Sequence, residues 1–134
     1  MSFRFLLDTN ICIYIRQKKS PAVLARFRQL KESEAAMSVI TFGELLYGVE
    51  RSEHREKSLA VLNEVSSLIP VLALPEEAGG SYGAIRAELE RRGAGIGNND
   101  LWIAAHAKAA GLILVTNNGK EFRRIAGLRV ENWL

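Results

Sequence analysis

The sequence predicts an α/β fold with a central, mainly parallel sheet of four to five strands and helices on both faces. Short apolar runs alternate along the chain with longer segments whose apolar residues have helical spacing. Residues 112–115 form a continuous apolar run, which is typical of a strand buried on both faces. With 134 residues, of which 48% are hydrophobic, the chain can bury one core, and we expect a single domain over residues 1–134.

The first predicted strand is the apolar run at residues 5–7, after which three polar residues lead into a short helix at residues 11–16. Ser20 and Pro21 are residue types favoured at the N-cap and in the first turn of a helix, so a second helix begins there. The compact apolar run at residues 36–40 ends in β-branched residues, which predicts the second strand.

In the middle of the chain, Thr41-x-x-Glu44 has the pattern of a capping box, which predicts that a helix begins beside Thr41. Apolar residues at helical spacing and helix-ending prolines and glycines define the next elements. The predicted elements here are helices at residues 42–50, 53–68 and 76–92, and a strand at residues 71–74.

The last part of the chain begins with a loop rich in glycine and asparagine, and Gly111 has the residue type expected just past the end of a helix. A continuous apolar strand follows, and it ends in polar residues. The predicted elements here are a loop at residues 94–100, a helix at 101–110, strands at 112–115 and 128–130, and a helical turn at 120–125.

Polar side chains follow several of the predicted strands. The carboxyl ends of parallel strands share one edge of a sheet, where open α/β folds bind ligands, so we expect these side chains to converge. Carboxylates brought together raise each other's pKa unless a cation intervenes, and oxygen ligands without thiolates or imidazoles select Mg²⁺ or Mn²⁺. The residues concerned are Asp8, Thr9, Asn10, Glu44, Asp100, Thr116, Asn117, Asn118 and Glu121.

Each acid also has a structural interpretation. Asp8, Thr9 or Asn10 would cap the following helix, and Glu44 would complete the capping box. Asp100 would complement the dipole of the helix whose first turn it occupies, and Glu121 would be a surface residue. A functional site is excluded only if every one of these structural interpretations is correct. The pattern as a whole therefore favours a site.

Composition limits the other functions. The net charge is +3 and the basic residues are dispersed, which permits a polyanionic partner without requiring one. With Cys12 as the only cysteine and two histidines, His54 and His106, the chain lacks an internal disulfide or a zinc cluster. No apolar run approaches the roughly 20 residues that span a bilayer. We therefore expect a cytoplasmic protein that does not contact membranes.

Taken together, these motifs make the sequence resemble a PIN-domain ribonuclease, specifically a VapC toxin of a VapBC toxin-antitoxin system. The resemblance extends over nearly the whole chain. The segments that carry it are LDTN at residues 7–10, IGxxDLxIAAHA at 96–107, GL at 111–112, VTNNxxEF at 115–122 and ENW at 131–133, where x is a position outside the motif.

The resemblance implies that Asp8, Glu44 and Asp100 form an acidic core that holds Mg²⁺ or Mn²⁺. Many PIN domains have a fourth aspartate where this chain has Asn118, and the resemblance assigns the fourth acidic role to Glu121 instead. Thr9, Asn10, Thr116 and Asn118 would be supporting groups. The implied reaction is endonucleolytic hydrolysis of RNA, often tRNA, by a homodimer that a cognate VapB antitoxin inactivates.

Two other functions fit part of the pattern. A phosphatase of the haloacid-dehalogenase type also begins with an aspartate at a strand end, but its mechanism needs a second acid at the position of Asn10. A module that binds RNA or a partner protein without catalysis would use its arginines for binding and its acids only as helix caps. Absence of metal binding would favour that second function.

Overall fold

A five-stranded, all-parallel sheet forms the centre of the protein, with strand order β3-β2-β1-β4-β5, in a computed structural model that describes residues 3–31 and 33–134. The strands are β1 (Phe5–Leu7), β2 (Ala35–Ser38), β3 (Val71–Leu72), β4 (Ile113–Val115) and β5 (Val130–Glu131). The helices are α1 (Thr9–Gln17), α2 (Pro21–Arg28), α3 (Val39–Arg51), α4 (Arg55–Leu68), α5 (Glu77–Arg91), α6 (Asn98–Ala110) and α7 (Gly119–Phe122). The predicted α/β class and parallel sheet are confirmed.

The central strand β1 is inaccessible to solvent on both faces. Phe5 and Leu7 belong to a core packed with residues of α1 to α4, whereas Leu6 belongs to a second core packed with residues of α5 to α7. Successive side chains of a strand point to opposite faces, so this division shows that helices cover both faces of the sheet. The described part of the chain contains no helix with the length and apolar character needed to cross a membrane.

The boundary between β2 and α3 differs from the prediction. The strand ends at Ser38, whose side-chain oxygen accepts a hydrogen bond from the backbone N–H of Ile40 and so caps α3. Val39 and Ile40, predicted as strand residues, therefore form the first turn of the helix. Thr41 lies inside the helix with its hydroxyl buried and unpaired among the described residues, so the predicted capping box is wrong.

Other elements are shorter or begin at different residues. Strand β3 covers only Val71–Leu72, two residues fewer than predicted, and α6 begins at Asn98 rather than at Leu101. Gly111 does end α6 in the left-handed conformation, with φ of 69°. The early start of α6 places Asp100 inside its first turn.

Candidate active site

Asp8 lies where β1 passes directly into α1. Its backbone N–H donates to the carbonyl oxygen of Val115 at 3.0 Å, which extends the pairing of β1 with β4. Its Oδ1 accepts a hydrogen bond from the N–H of Ile11 at 3.0 Å, so Asp8 is the N-cap of α1. Its Oδ2 accepts a hydrogen bond from the Thr116 hydroxyl at the end of β4. Asp8 is thus a helix cap that also faces the neighbouring strand end.

Opposing effects set the protonation of Asp8. Asp8 is only 6% exposed, and burial raises the pKa of its carboxyl group. The hydrogen bonds from Thr116, Ile11 and the N–H of Asn10 favour the ionised form and lower the pKa, whereas the charge of Glu44 raises it further. The net effect is a raised pKa, because the surrounding protein only partly replaces the hydration that this carboxylate loses on burial.

The end of β4 forms a connected polar network. The Thr116 hydroxyl that donates to Asp8 also accepts a hydrogen bond from the N–H of Asn118 at 2.9 Å. The Asn118 side-chain amide donates to Glu121 Oε2 at 3.1 Å, so Glu121 is linked to Asp8 through two intervening residues, Thr116 and Asn118. Asn117 instead donates to the Tyr14 hydroxyl on α1 at 3.1 Å, a contact that sequence reasoning missed.

Glu44 reaches the same edge from α3. Its Oε1 accepts a hydrogen bond from the Thr9 hydroxyl, in the first turn of α1, at 2.6 Å. The Glu44 side chain is therefore directed across to the residue after Asp8 rather than back to its own helix terminus. Because Ser38 already caps α3, the structural interpretation of Glu44 as a capping residue is wrong.

Asp100 is affected by the charges of the other three predicted acids. It is half-buried in the first turn of α6, and its pKa is raised to about 6. Burial is the largest cause, and the negative charges of Glu121, Glu44 and Asp8 follow in that order. The four carboxylates therefore lie near enough to one another for three of them to act on the fourth.

The remaining predicted residues occupy different positions. Asn10 is exposed, and its side chain has no hydrogen-bond partner among the residues described. His106 is buried, with Nδ1 at 2.8 Å from the Ser38 hydroxyl, and burial lowers its pKa. Cys12 is buried in the core, and burial raises the pKa of its thiol. His106 and Cys12 are therefore packed in the interior of the protein.

The donor set matches a hard divalent cation better than a soft one. The groups at this edge are carboxylates, hydroxyls and amides, and a cation would relieve the repulsion that raises the pKa of Asp100. Within residues 3–31 and 33–134, no three acidic, histidine or cysteine side chains are close enough to hold one ion together. Mg²⁺ is usually bound by one or two carboxylates together with water and substrate phosphates, so a two-carboxylate site fits this arrangement.

The sequence and the fold match those of known proteins. The sequence profile of the PIN domain matches residues 5–128. A ribonuclease VapC2 of Haemophilus influenzae is 43% identical over 131 residues, which cover 98% of this chain and 98% of that protein. The chain belongs to the VapC group of the PIN-domain family. A tRNA(fMet)-specific endonuclease VapC of Shigella flexneri is 45% identical over 130 residues, covering 97% and 98% of the two chains.

Solved structures of the VapC group have the same fold. The DNA-bound VapBC complex of Salmonella typhimurium contains a chain that matches with a TM-score of 0.92 and 42% identity, covering 98% of this chain and 99% of that one. The predicted family is therefore confirmed by both sequence and structure.

Proposed function

We propose that this VapC-group PIN domain is an endoribonuclease toxin that hydrolyses phosphodiester bonds of RNA with the help of Mg²⁺ or Mn²⁺. The observation that supports the metal-dependent part is the arrangement of four carboxylates at the carboxyl edge of the sheet, where Thr116 orients Asp8 and Thr9 orients Glu44. Burial first, and then the charges of Glu121, Glu44 and Asp8, raise the pKa of Asp100 at this edge. The relatives named as ribonucleases and as a tRNA(fMet)-specific endonuclease support RNA, with tRNA as one substrate class.

We assign the metal-binding role to Asp8 and Asp100. Asp8 is held in one orientation by Thr116 and Ile11, and Asp100 projects from a different element, so together they form a pair of ligands from two sides. A divalent cation bound there would polarise phosphoryl oxygens and lower the pKa of coordinated water. Ionised carboxylates are required for this binding, and the hydrogen bonds to Asp8 favour that form.

The other polar residues have orienting and electrostatic roles in this proposal. Thr9 holds Glu44 at the site, and Asn118 holds Glu121, so each carboxylate has a hydrogen-bonded partner that limits its rotamers. Glu44 and Glu121 both contribute negative charge that increases the affinity for a cation. Thr116 orients Asp8 and, through its contact with the Asn118 backbone, fixes the loop that carries Glu121.

The proposed partners follow from the same relatives. A VapBC complex structure contains an antitoxin with its VapC chain, and we propose a cognate VapB antitoxin as the inhibitor of this chain. We further propose a homodimer in solution, which light scattering of the purified protein would test.

The experiment that tests the function is incubation of the purified, antitoxin-free protein with total cellular RNA. Parallel reactions contain Mg²⁺, Mn²⁺ or a chelator, and the new RNA ends are mapped by sequencing. We expect cleavage only with a divalent metal, leaving 5′-phosphate and 3′-hydroxyl ends. A folded protein that binds RNA but leaves it intact under all conditions would contradict the nuclease proposal and favour a binding module.

Glu44→Gln is expected to lower the cleavage rate by about 10- to 100-fold, the usual effect of altering a group around a metal site. Glutamine retains an oxygen that accepts the Thr9 hydrogen bond, but it lacks the negative charge. The melting temperature should therefore change little. The matched variant Thr9→Val keeps the charge and removes the hydroxyl, and we expect a smaller loss. Equal, full activity in both variants would exclude Glu44 from the site.

A further inference from the structure

A basic cleft lies on the side of the molecule where α1 and α3 end and α4 begins. We define it by six of its lining residues, namely Arg16, Gly48, Arg51, Ser52, His54 and Lys57. Arg16 comes from the last turn of α1, and Arg51 from the last turn of α3. The cleft thus combines three cationic side chains, one each from α1, α3 and α4, with the histidine that precedes α4. Arg16 is distant in sequence from the other three.

The three cations of the basic cleft are not neutralised by the chain itself. Every ion pair found in residues 3–31 and 33–134 involves other residues. The acid adjacent to Arg51, Glu50, is occupied by Arg55 at 2.6 Å. Lys57 and Arg51 are exposed, and Arg16 is partly exposed. A concave surface with several unpaired cations favours a polyanion.

Helix α3 connects the basic cleft to the acidic edge. Gly43, Glu44 and Tyr47 line a groove beside Thr9, and the next turn contributes Gly48 and Arg51 to the cleft. Positions 43, 47 and 51 are spaced four apart and therefore lie on one face of the helix. The helical rise separates Glu44 from Arg51 by about 10 Å along the axis, a distance of two turns.

Tyr47 stands between the two regions. It is 62% exposed, and the Arg51 guanidinium lies 5.4 Å from the centre of its ring. An exposed aromatic ring beside an arginine resembles the arrangement with which proteins hold single-stranded nucleic acid, since bases stack on the ring while cations contact phosphates. An acidic peptide would use the cations alone and would leave Tyr47 without a role.

We propose that the basic cleft binds the phosphates of an RNA strand that leaves the acidic edge along α3, with one base stacked on Tyr47. This inference rests on the proposed ribonuclease function and names the path of its substrate. The cations hold the strand through phosphates, so the cleft increases affinity for RNA in general and carries no base preference of its own.

The test is binding of a short, fluorescein-labelled single-stranded RNA, measured by anisotropy in chelator so that no cleavage occurs. Arg51→Glu/Lys57→Glu is compared with Arg28→Glu/Lys31→Glu, which changes the net charge equally. Arg28 and Lys31 lie beside Ala35 at the start of β2, so the control alters the amino ends of the strands, opposite the acidic edge. Melting curves establish that each variant is folded.

We expect the cleft variant to bind RNA about tenfold more weakly or worse, and to reduce the slope of log affinity against log salt by about 1.4, or 0.7 for each lost phosphate contact. The control variant should lose much less affinity for RNA.

Tyr47→Ala should weaken RNA binding by about 5- to 150-fold, whereas Tyr47→Phe, which keeps the ring, should not. Equal losses in the two double variants would overturn the proposal. Unchanged RNA binding with an altered oligomeric state or weaker VapB binding would also overturn it and assign this face to a protein partner.

This binding test is independent of cleavage. If the wild-type protein cuts RNA and the cleft variant binds RNA as well as the wild type does, the proposed role of the cleft is wrong and the nuclease function stands. If the protein cuts no RNA but shows the expected pattern of binding, the nuclease function is wrong and the cleft remains an RNA-binding surface.

Discussion

Asp8→Asn is expected to reduce RNA cleavage by about 10³-fold, the scale of losing a charged group that stabilises the reaction directly. The change removes the negative charge at the centre of the proposed site. Asparagine keeps an oxygen that accepts the Ile11 N–H, and the Thr116 hydroxyl can rotate to accept from the new amide. The helix cap therefore persists, and the melting temperature should stay within a few degrees of wild type. Single-turnover cleavage of an RNA substrate at saturating Mn²⁺ measures the loss.

Thr116→Val is the matched control for the orientation of Asp8. It keeps the carboxylate but removes the hydroxyl that donates to Asp8 Oδ2. We expect a smaller loss, about 10- to 100-fold, because the ligand remains and only its supporting hydrogen bond is lost. An Asp8→Asn variant that stays folded and cuts RNA at the wild-type rate would exclude Asp8 from the reaction.

Asp100→Asn is expected to have opposite effects on activity and stability. Cleavage should fall by about 10³-fold, since the variant loses one of the two proposed metal ligands. The metal-free protein should become more stable at pH 7.5, because the substitution removes a partly buried charge repelled by Glu121, Glu44 and Asp8. The gain is on the order of 1 kcal/mol, after discounting for the screening of a half-exposed group.

The stability effect of Asp100→Asn depends on pH in a defined direction. The Asp100 carboxyl has a pKa of about 6 in the folded protein, compared with 3.8 as its ordinary value. Between these values the folded state binds more protons than the unfolded state, so the contribution of Asp100 to stability falls as pH rises. The stabilisation by asparagine should therefore be present at pH 7.5 and largely absent at pH 4. Thermal melts of both proteins in chelator at the two pH values measure this, and a pH-independent difference would contradict it.

The sheet was predictable because parallel strands leave a strong pattern. A continuous apolar run at β4 and an apolar run that ends at Asp8 identify two central strands, and the helical segments between strands imply crossovers. The boundary at Ser38 was not predictable in this way. Val39 and Ile40 have β-branched side chains that favour a strand, but the Ser38 hydroxyl caps a helix at that point, and the helix prevails over local propensity.

The acids of the site could be proposed from the sequence, but their interactions could not. Spacing alone made Glu44 the partner of Thr41, whereas the structure pairs it with Thr9 from another helix. The Tyr14–Asn117 contact joins residues 103 positions apart and leaves no local signal. The basic cleft was not predicted, because Arg16 is distant in sequence from Arg51 and Lys57 and only the packing of α1 against α3 and α4 brings them together.

The most direct test of the acidic site is Mn²⁺ binding to the antitoxin-free protein, measured by calorimetry near pH 7.5 without RNA. We expect saturable binding to the wild-type protein and none at the same concentrations to folded Asp8→Asn or Asp100→Asn. Unchanged Mn²⁺ affinity in both folded variants, or no binding to a wild-type protein that nevertheless cuts RNA in chelator, would contradict the assignment of these carboxylates to a metal-dependent nuclease site.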